Sequence, residues 1–519
     1  MRSNPNYLDN SLRILGYCLS DHETIKKQIR AREFNTILNS KGEFTLVYTD
    51  EFEVIVITSM IGAMQYFYFF DGKRFSHGEH LVDIINEQGL EWIWNWESVG
   101  DLCELENLTE NRTLHKYIKR VPAGSILTFR NTLKLRSINL LDQIKTVDAD
   151  PIDAVNIFNQ ETERWAGTMP MLSLSGGFDS RVILSSMLKQ NIYPTVITLG
   201  KSDNSDMQVA ELIAEKFSLE HIKVKISLID LIDHGEHIAK ITNGSKPACH
   251  WHTYIYPKKA GISKDQSFFV GTLGEFARSY YFDKGFLSLL NDSFSHKAQK
   301  QFWMLKLSRH RTFHEHESKF LCDELSEQIS SYGQQRRAYR NASLSRGEFL
   351  AGGTRYYLEQ RVPHFYANGI TMYNDTTSWR SPFHNIEWLE IIWSLCDQWK
   401  LGSNWHRLAI TRNCPCLLDF PEEKGFSRKK MMHKAPPLYW LPFMQRLKYK
   451  SYDMSAEWYA DHRMQEFILD NSSFLDELIE RRLTESILKE HLILRNRTRA
   501  ISFLLTVLYF KISLSRGYK

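Results

Sequence analysis

The chain has 519 residues, a length that exceeds one compact hydrophobic core, so we expect two or more domains. Its 43% apolar and 24% charged residues exclude fibrous and disordered proteins. A net charge of +4 gives no indication of nucleic-acid binding. The seven cysteines are scattered and no signal-peptide pattern is found, which indicates a reducing, cytoplasmic location. The apolar stretch 501–509 is shorter than the ~20 residues of a membrane span, which predicts a buried helix.

Residues 1–147 show little helical periodicity and contain several β-like runs. The runs are residues 44–48, 54–58, 66–70 and 125–129. Turn signals separate them, among them Asp71-Gly72 and the Pro122-Ala123-Gly124 segment. The pattern predicts a β-rich first domain.

Residues 171–188, MLSLSGGFDSRVILSSML, read as a strand, a loop and a helix. The adjacent Gly176 and Gly177 allow a sharp turn whose N–H groups can bind an anion beside the helix N-terminus. Ser175 and Ser180 add hydroxyl donors. A carboxylate beside phosphates requires a divalent cation, so Asp179 is predicted to bind Mg²⁺. No lysine follows the second glycine, which distinguishes this loop from that of the large NTPase class.

The S-G-G-x-D-S pattern resembles the pyrophosphate loop of the ATP pyrophosphatases, which cleave ATP between its α and β phosphates. Strand-like and helix-like segments alternate after residue 150, at 195–199, 206–217, 221–226 and 268–270. Such alternation predicts an α/β domain with a parallel sheet, here over residues 148–519. Ligands of these sheets bind at the carboxyl ends of the strands.

The first domain also carries a resemblance, through the order of its segments GEFTLVYTD, IGAMQYFYFF, FSHGEH and VPAGSILTF. That order resembles the Ntn-like glutamine-hydrolysing domain of asparagine synthetases. The family also includes β-lactam synthetases and lasso-peptide cyclases. Its glutaminase activity depends on an N-terminal cysteine. Because this chain begins Met1-Arg2-Ser3, we expect the first domain to be a degenerate glutamine amidotransferase domain that packs on the second and shapes it.

Residues 271–278, GTLGEFAR, resemble the G-E-G-x-D-E segment of asparagine synthetases. The resemblance implies that Glu275 helps to hold Mg²⁺. The alternative is a helix whose first-turn glutamate favours the dipole. The resemblance also implies the residues that bind ATP, which are Leu174, Ser175, Gly176, Gly177, Asp179, Ser180, Leu199, Val270 and Gly271.

Thr272 stands where the ammonia-using family members have glutamate. Its hydroxyl can orient a group but is a poor base near neutral pH. The base must therefore lie elsewhere, with His250, His252 and Glu359 as candidates.

The family uses a lysine in K-x-G-F to neutralise the departing pyrophosphate. Here Lys424 is displaced by one position, and either Lys424 or one of Lys429 and Lys430 takes that role. These lysines adjoin the basic run 427–450, which is either a solvated face or an attractor of triphosphate.

The later segments are less informative. Residues 288–350 resemble no known segment and are predicted to form a substrate lid. Residues 379–383, WRSPF, resemble the E-V-R-x-P-F segment of asparagine synthetases. Arg380, and likewise Arg361, either contacts substrate or packs at the surface. Residues 466–479 and 484–509 are predicted helices that cap the domain.

Two short cysteine motifs invite a metal interpretation. Cys249 precedes His250 and His252, and Cys414 precedes Cys416. Neither motif has a partner pair at zinc spacing, so the sequence does not predict a metal site there.

Two hypotheses of different class follow. The first is an asparagine synthetase-like ligase that uses ATP and Mg²⁺ to adenylate a small-molecule or peptide carboxylate, which an amine attacks with loss of AMP. Neither glutamine nor nucleic acid takes part, and a homodimer or a partner biosynthetic enzyme is compatible with it. The alternative is a non-catalytic nucleotide-binding scaffold, which Thr272 and the displaced lysine favour.

Overall fold

A computed structural model describes residues 11–144, 146–278, 312–344, 349–400, 403–421 and 454–517. The predicted lysines Lys424, Lys429 and Lys430, the basic run 427–450 and the Met1-Arg2-Ser3 terminus lie outside these residues. The predicted lid is described only in part, because its residues 288–311 and 345–348 also lie outside these ranges. The boundary between residues 147 and 148 stays a prediction.

The strands fall in two groups, an antiparallel group within residues 12–137 and a parallel group within residues 171–380, and the regions before and after residue 147 are termed the first and second half of the chain. In chain order they are β1 Leu12–Cys18, β2 Gly42–Thr49, β3 Val54–Thr58, β4 Phe67–Phe70, β5 Phe75–Gly78, β6 Ile118–Arg120, β7 Ser125–Phe129, β8 Leu133–Ser137, β9 Met171–Ser173, β10 Thr195–Leu199, β11 His221–Val224, β12 Ser267–Phe269 and β13 Ser378–Arg380. The predicted runs coincide with β2, β3, β4, β7, β10, β11 and β12 to within a few residues.

The first half contains two antiparallel sheets, in the orders β1-β2-β3-β7-β8 and β5-β4-β6. Strand β3 is rich in β-branched residues and is buried over most of its length. The β-rich prediction is therefore confirmed. Helices His22–Arg30, Leu81–Gln88 and Trp96–Leu105 form here beside the sheets. Helix His22–Arg30 buries Ile25 and Ile29, four positions apart on one face, and is polar elsewhere, which is the pattern of a short amphipathic helix.

The second half contains a parallel sheet in the order β11-β10-β9-β12-β13. The predicted α/β class is confirmed. Strands β10 and β11 extend from one side of β9, whereas β12 and β13 extend from the other. The order therefore reverses between β9 and β12, and this switch point is where open parallel sheets bind ligands.

Helices surround both parts. The α-helices of the described residues are His22–Arg30, Phe34–Leu38, Leu81–Gln88, Trp96–Leu105, Leu140–Gln143, Pro151–Ala166, Phe178–Lys189, Ser205–Phe217, Leu228–Ile241, His252–Lys259, Asp323–Ile329, Ser331–Leu344, Phe349–Tyr356, Ala367–Thr376, Ile386–Ser394, Asp397–Lys400, Asn404–Asn413, Met454–Trp458, His462–Asp470, Arg481–Leu494 and Thr498–Gly517. Short 3₁₀ helices include Ala248–His250 and Gly274–Arg278, and a π-helix spans Tyr357–Tyr366.

The C-terminal region differs from its prediction in detail. Residues 466–479 form the helix His462–Asp470 followed by the 3₁₀ helix Ser472–Leu475. The predicted helix 484–509 is interrupted, because Arg495 adopts a left-handed backbone conformation and ends the helix Arg481–Leu494. A new helix, Thr498–Gly517, then follows. In the described part of the chain it alone is long and apolar enough to cross a membrane, but 78% of its apolar window is buried within the protein. That burial agrees with the predicted core helix.

Polar contacts join the two halves. The Tyr17 hydroxyl lies 3.4 Å from the carbonyl of Ser381 beyond β13. The Asn243 side chain accepts from the Leu81 N–H at 2.7 Å. Helix Ser331–Leu344, from the predicted lid region, ion-pairs with the first half through Arg340 and the fully buried Asp101, at 2.9 Å. The first half therefore packs directly on the second, as the sequence predicted.

Candidate active site

Two loops meet at the switch point of the parallel sheet. The SGGFDS loop, residues 175–180, follows β9 and leads into helix Phe178–Lys189, whose N-cap is Gly177. The segment 271–274 follows β12. Because β9 and β12 are adjacent and parallel, both loops leave the same edge of the sheet. The sequence motifs singled out for ATP binding are thus brought together.

The loop amides point to acceptors. The Ser175 N–H donates to the Ser180 hydroxyl, and the Gly177 N–H donates to the Ser175 hydroxyl, each at 3.2 Å. The Gly176 N–H donates to a carboxylate oxygen of Asp206 at 2.7 Å. A carboxyl oxygen therefore already accepts from one loop N–H, the kind of contact that a phosphate oxygen would make.

The segment 271–274 packs tightly on Asp179. A Cβ atom at Gly274 would lie 2.7 Å from Cγ and Oδ1 of Asp179, and one at Gly271 would lie 2.9 Å from Asp179 Cβ. Glycine is required at both positions because any side chain would collide with the aspartate. Leu273, between them, has a φ of +74°, an uncommon conformation for a branched residue. The two loops therefore pack closely around the Asp179 side chain.

Asp179 is held by two basic side chains that the sequence did not single out. Nε2 of His406 lies 2.8 Å from Asp179 Oδ1, and Nη2 of Arg278 lies 3.2 Å from Oδ2. Burial pushes the pKa of Asp179 upward, but Arg278 and His406 together outweigh it and hold the pKa below its ordinary value. Asp179 is thus kept as a carboxylate.

Glu275 lies beside the same group. Nη2 of Arg278 is 3.8 Å from a Glu275 oxygen, so this arginine is shared by both predicted metal ligands. The hydroxyls of Tyr357 and Tyr366 donate to the two oxygens of Glu275 at 3.3 and 3.2 Å. Burial, and then the neighbouring Asp179 carboxylate, raise the pKa of Glu275. The Asp179 carboxylate therefore disfavours the ionised form of Glu275 by electrostatic repulsion.

The π-helix Tyr357–Tyr366 explains how both tyrosines reach Glu275. In an α-helix of about 3.6 residues per turn, positions nine apart are separated by roughly two and a half turns and face opposite sides. The wider i→i+5 turns of a π-helix bring such positions back to one face. Pro363 lies inside the helix and supplies no N–H donor. Extended π-helix is rare and is frequently found at functional sites.

The first half of the chain holds the other side of the π-helix. Gln65 Nε2 donates to the Pro363 carbonyl at 3.0 Å. The Glu110 N–H donates to Gln360 Oε1 at 2.8 Å, and the Glu110 carbonyl contacts His364 Nε2. These contacts connect the first half, through one helix, to the Glu275 carboxylate.

Thr272 lies in the segment that follows β12. Its carbonyl accepts from the hydroxyl of Ser381, which follows β13, at 2.9 Å. Its own hydroxyl is buried and has no hydrogen-bond partner within the described residues. A buried hydroxyl without a partner carries a free-energy cost, which a bound ligand would relieve.

The predicted adenosine-binding residues lie along the same edge. Leu174 is buried, and its carbonyl accepts from the Thr198 hydroxyl at 2.9 Å. Leu199 ends β10, and Val270 follows β12 with its N–H donating to the Arg380 carbonyl at 3.0 Å. The sheet brings them beside the loop, and their binding role stays a prediction.

The structure separates Glu359 from this group. Its carboxylate accepts from Asn139 at 2.9 Å and from Arg355 at 3.3 Å, and it lines a cavity of about 460 Å³ beside the first half. None of its contacts within the described residues reaches Thr272, Asp179 or Glu275.

The histidine candidates are poor bases. Burial, and then Lys246, hold the pKa of His250 well below its ordinary value. Burial likewise lowers the pKa of His252, to about 4. Neither imidazole is matched to accepting a proton near neutral pH.

The two candidate arginines pack on aromatic rings. The Arg361 guanidinium lies 3.7 Å from the centre of the Phe365 ring, and that of Arg380 lies 4.6 Å from the centre of the Tyr17 ring. Arg361 also donates to Asn107 at 2.7 Å. These contacts correspond to the packing alternative.

The paired carboxylates suit Mg²⁺. Asp179 and Glu275 offer hard oxygen donors at one edge of the sheet, and their side chains retain 18% and 16% exposure. The oxygen donors are of the type that Mg²⁺ prefers, but both carboxylates contact Arg278 in this structure, so the ion would have to replace those contacts, and its binding stays a prediction.

Residues 169–256 match the family model described as Asparagine synthase. This match covers the loop, β9 to β11 and the segment that contains Cys249 and His250. It supports an asparagine synthetase-like family assignment, and with it an ATP-using ligase. A search of curated proteins finds no match to the chain.

Proposed function

We infer that this chain, which carries an asparagine synthetase-like segment at residues 169–256, is a ligase that adenylates a carboxylate and transfers the acyl group to an amine. One observation carries the proposal. The SGGFDS loop and the carboxylates of Asp179 and Glu275 meet at the crevice between β9 and β12, where anion-binding amides lie beside a site for a hard cation.

The reaction has two steps. A substrate carboxylate oxygen attacks the α-phosphorus of ATP, the bond from that phosphorus to the bridging oxygen breaks, and pyrophosphate leaves. The amine nitrogen then attacks the acyl carbon, the bond to AMP breaks, and the nitrogen loses a proton. In this proposal the phosphates of ATP replace the internal contacts of the loop, in which the Ser175 and Gly177 amides donate to serine hydroxyls and the Gly176 amide donates to Asp206.

Positive charge at the loop favours the first step. Asp179 and Glu275 would hold Mg²⁺, which supplies neutralisation of the phosphate charge when bound. Arg278 contributes a fixed guanidinium between these carboxylates and stabilises charge that grows on the departing pyrophosphate. Arg278 is therefore a second candidate for the role predicted for Lys424, which lies outside the described residues.

Thr272 and Ser381 orient the acyl group. In this proposal the Thr272 hydroxyl, which has no hydrogen-bond partner within the described residues, donates to the substrate carboxylate, while the Ser381 hydroxyl donates to the Thr272 carbonyl. A threonine hydroxyl is a poor base. The attacking nitrogen therefore either needs no strong base or loses its proton to a group other than Thr272.

The amine is free or substrate-borne in this proposal. A glutaminase cysteine of this type requires its own α-amine as base. Within the described first half, Cys18 lies in β1 and Cys103 lies in a helix, so the nitrogen of each is a peptide amide. A cytoplasmic location and a homodimer or biosynthetic partner remain part of the proposal.

Oxygen isotope transfer tests this function. A panel of small-molecule and peptide carboxylates, each labelled with ¹⁸O, is incubated with the full chain, ATP and an amine. Adenylation carries one label from the carboxylate into AMP, which mass spectrometry detects. Formation of ADP instead of AMP would contradict the proposal. Tight ATP binding without AMP from any carboxylate would favour the scaffold alternative.

A further inference from the structure

We propose a zinc site that joins the two halves of the chain, with Glu106, Cys249 and His250 as its protein ligands. One ligand atom from each residue lies within 4.8 Å of the other two. Glu106 caps the C-terminus of helix Trp96–Leu105, whereas Cys249 and His250 lie in the 3₁₀ helix Ala248–His250. Tertiary packing thus supplies the third ligand that sequence spacing lacked.

The ligand set favours zinc among the common divalent ions. A thiolate, an imidazole and a carboxylate are its usual donors, and three protein ligands leave the fourth tetrahedral position to water. Metal–ligand bonds of ~2.0–2.3 Å place the ligand atoms of one zinc ion roughly 3.5 Å apart. Side-chain rotations that move each ligand atom by about 1 Å would therefore bring all three atoms to bonding distance of one zinc ion. All three residues are partly exposed, which leaves an entry path for an ion.

The backbone that carries Cys249 and His250 is anchored. The N–H groups of Ala248 and Cys249 donate to the hydroxyls of Thr506 and Ser502, at 2.9 and 3.0 Å, on the buried C-terminal helix. The His250 ring packs edge-on against Phe365 with 4.9 Å between ring centres. Two of the three ligands are therefore held in place before any ion binds.

Charged groups near the site both favour and oppose the binding of a cation. Thiolate and carboxylate ligands would supply two negative charges to a bound ion. Lys246 and Arg361 oppose a cation. Lys246 donates to the Phe365 carbonyl at 2.9 Å and Arg361 donates to Asn107 at 2.7 Å, so both cations have other partners nearby. We therefore expect site-specific but moderate affinity.

The site has a structural role in this proposal, and it is independent of adenylation. An ion bound by residues of both halves stabilises their packing, because it binds the folded arrangement and not the separated segments. The contact lies close to Arg361 and Phe365 of the π-helix region, so it secures the same interface.

Cobalt titration of the full chain tests the site. Because the Cys414 and Cys416 sulfurs lie 3.5 Å apart and can also take up metal, both are replaced by serine in the background protein. We expect one Co²⁺ per chain and a thiolate-to-cobalt charge-transfer band. Cys249→Ser should remove the band and weaken binding by more than the ~10–100-fold typical of losing an outer partner. Glu106→Gln should weaken binding but keep the band, and Cys18→Ser is the control.

A second measurement needs no variant. Zn²⁺ should slow iodoacetamide alkylation of Cys249 at least 10-fold while it leaves Cys18 unchanged, as peptide mass spectrometry would show. Absence of the cobalt band, its persistence in Cys249→Ser, or equal alkylation with and without Zn²⁺ would overturn the proposal.

Discussion

The two sides of Glu275 are built in different ways. On one side, the SGGFDS loop follows β9 and turns directly into a helix, so six consecutive residues supply its glycines, hydroxyls and carboxylate. On the other side, the π-helix Tyr357–Tyr366 contacts Glu275 while residues of the first half hold its opposite face. A local motif can therefore supply phosphate binding, whereas the groups around the metal-binding carboxylate depend on packing across the whole chain.

The largest expected effect lies on the loop side. Asp179→Ala removes a predicted Mg²⁺ ligand and leaves His406 and Arg278 without their shared partner. Exchange between ATP and pyrophosphate, measured with a carboxylate substrate, should fall by ~100-fold or more. Asp203→Ala, an exposed aspartate beyond β10, is the control. Unchanged exchange in Asp179→Ala would contradict the prediction that Asp179 binds Mg²⁺.

This contrast also explains what the sequence could predict. Strands such as β3 and β10 are predictable because β-branched runs end at clear turn signals, and the loop is predictable because glycine, serine and aspartate each have a local function. His406 and Arg278 carry no such signal, since an isolated histidine or arginine is compatible with many environments. Both contact Asp179, from which Arg278 is 99 positions and His406 is 227 positions away in the sequence, so their role depends on the fold.

The π-helix likewise could not be predicted from the sequence. Tyr357 and Tyr366 have a spacing that in an α-helix would place them on opposite sides, so periodicity argued against a common contact. The break at Arg495 was missed for a similar reason, because glycine, not arginine, is the usual residue at a left-handed helix end. Glu359 was proposed as a base from its position in the sequence, and only the fold shows that it faces Asn139.

A smaller effect is expected where the two loops meet. In Gly274→Ala the new Cβ would collide with Cγ of Asp179, so the aspartate must move. A displacement of about 1 Å in a reacting site can cost ~100-fold in rate, and we expect a loss of ~10–100-fold in exchange. Gly369→Ala is the matched control, because its Cβ would meet no atom within 4 Å. Equal activity of the two variants would show that the close packing has no functional role.

The π-helix side should respond more weakly. Tyr366→Phe and Tyr357→Phe each remove one hydrogen bond to Glu275, worth about 1 kcal/mol or roughly a 5-fold change in Mg²⁺-dependent ATP binding. The double variant tests whether the two hydroxyls act together, since independent effects would multiply. Tyr332→Phe, on the exposed side of another helix, is the control. Calorimetric titration with and without Mg²⁺ gives the measurement, and no change in either variant would contradict the coupling between the π-helix and Glu275.

The smallest effect concerns the far face of the π-helix, where His364 contacts the Glu110 carbonyl. Burial, and then Arg120, hold the pKa of His364 well below its ordinary value, so the folded protein keeps the imidazole neutral. Above pH ~6.5 the residue is neutral in both states and its contribution to stability is complete. As the pH falls below that value, only the unfolded chain binds the proton, and stability decreases by up to about 1.4 kcal/mol per pH unit until the folded pKa is reached. His364→Gln should therefore unfold less steeply with acid than the wild type, as urea titrations between pH 7 and pH 5 would show. The same substitution at exposed His22 is the control, and identical acid slopes for all three proteins would mean that His364 does not link the first half to the π-helix through a neutral imidazole.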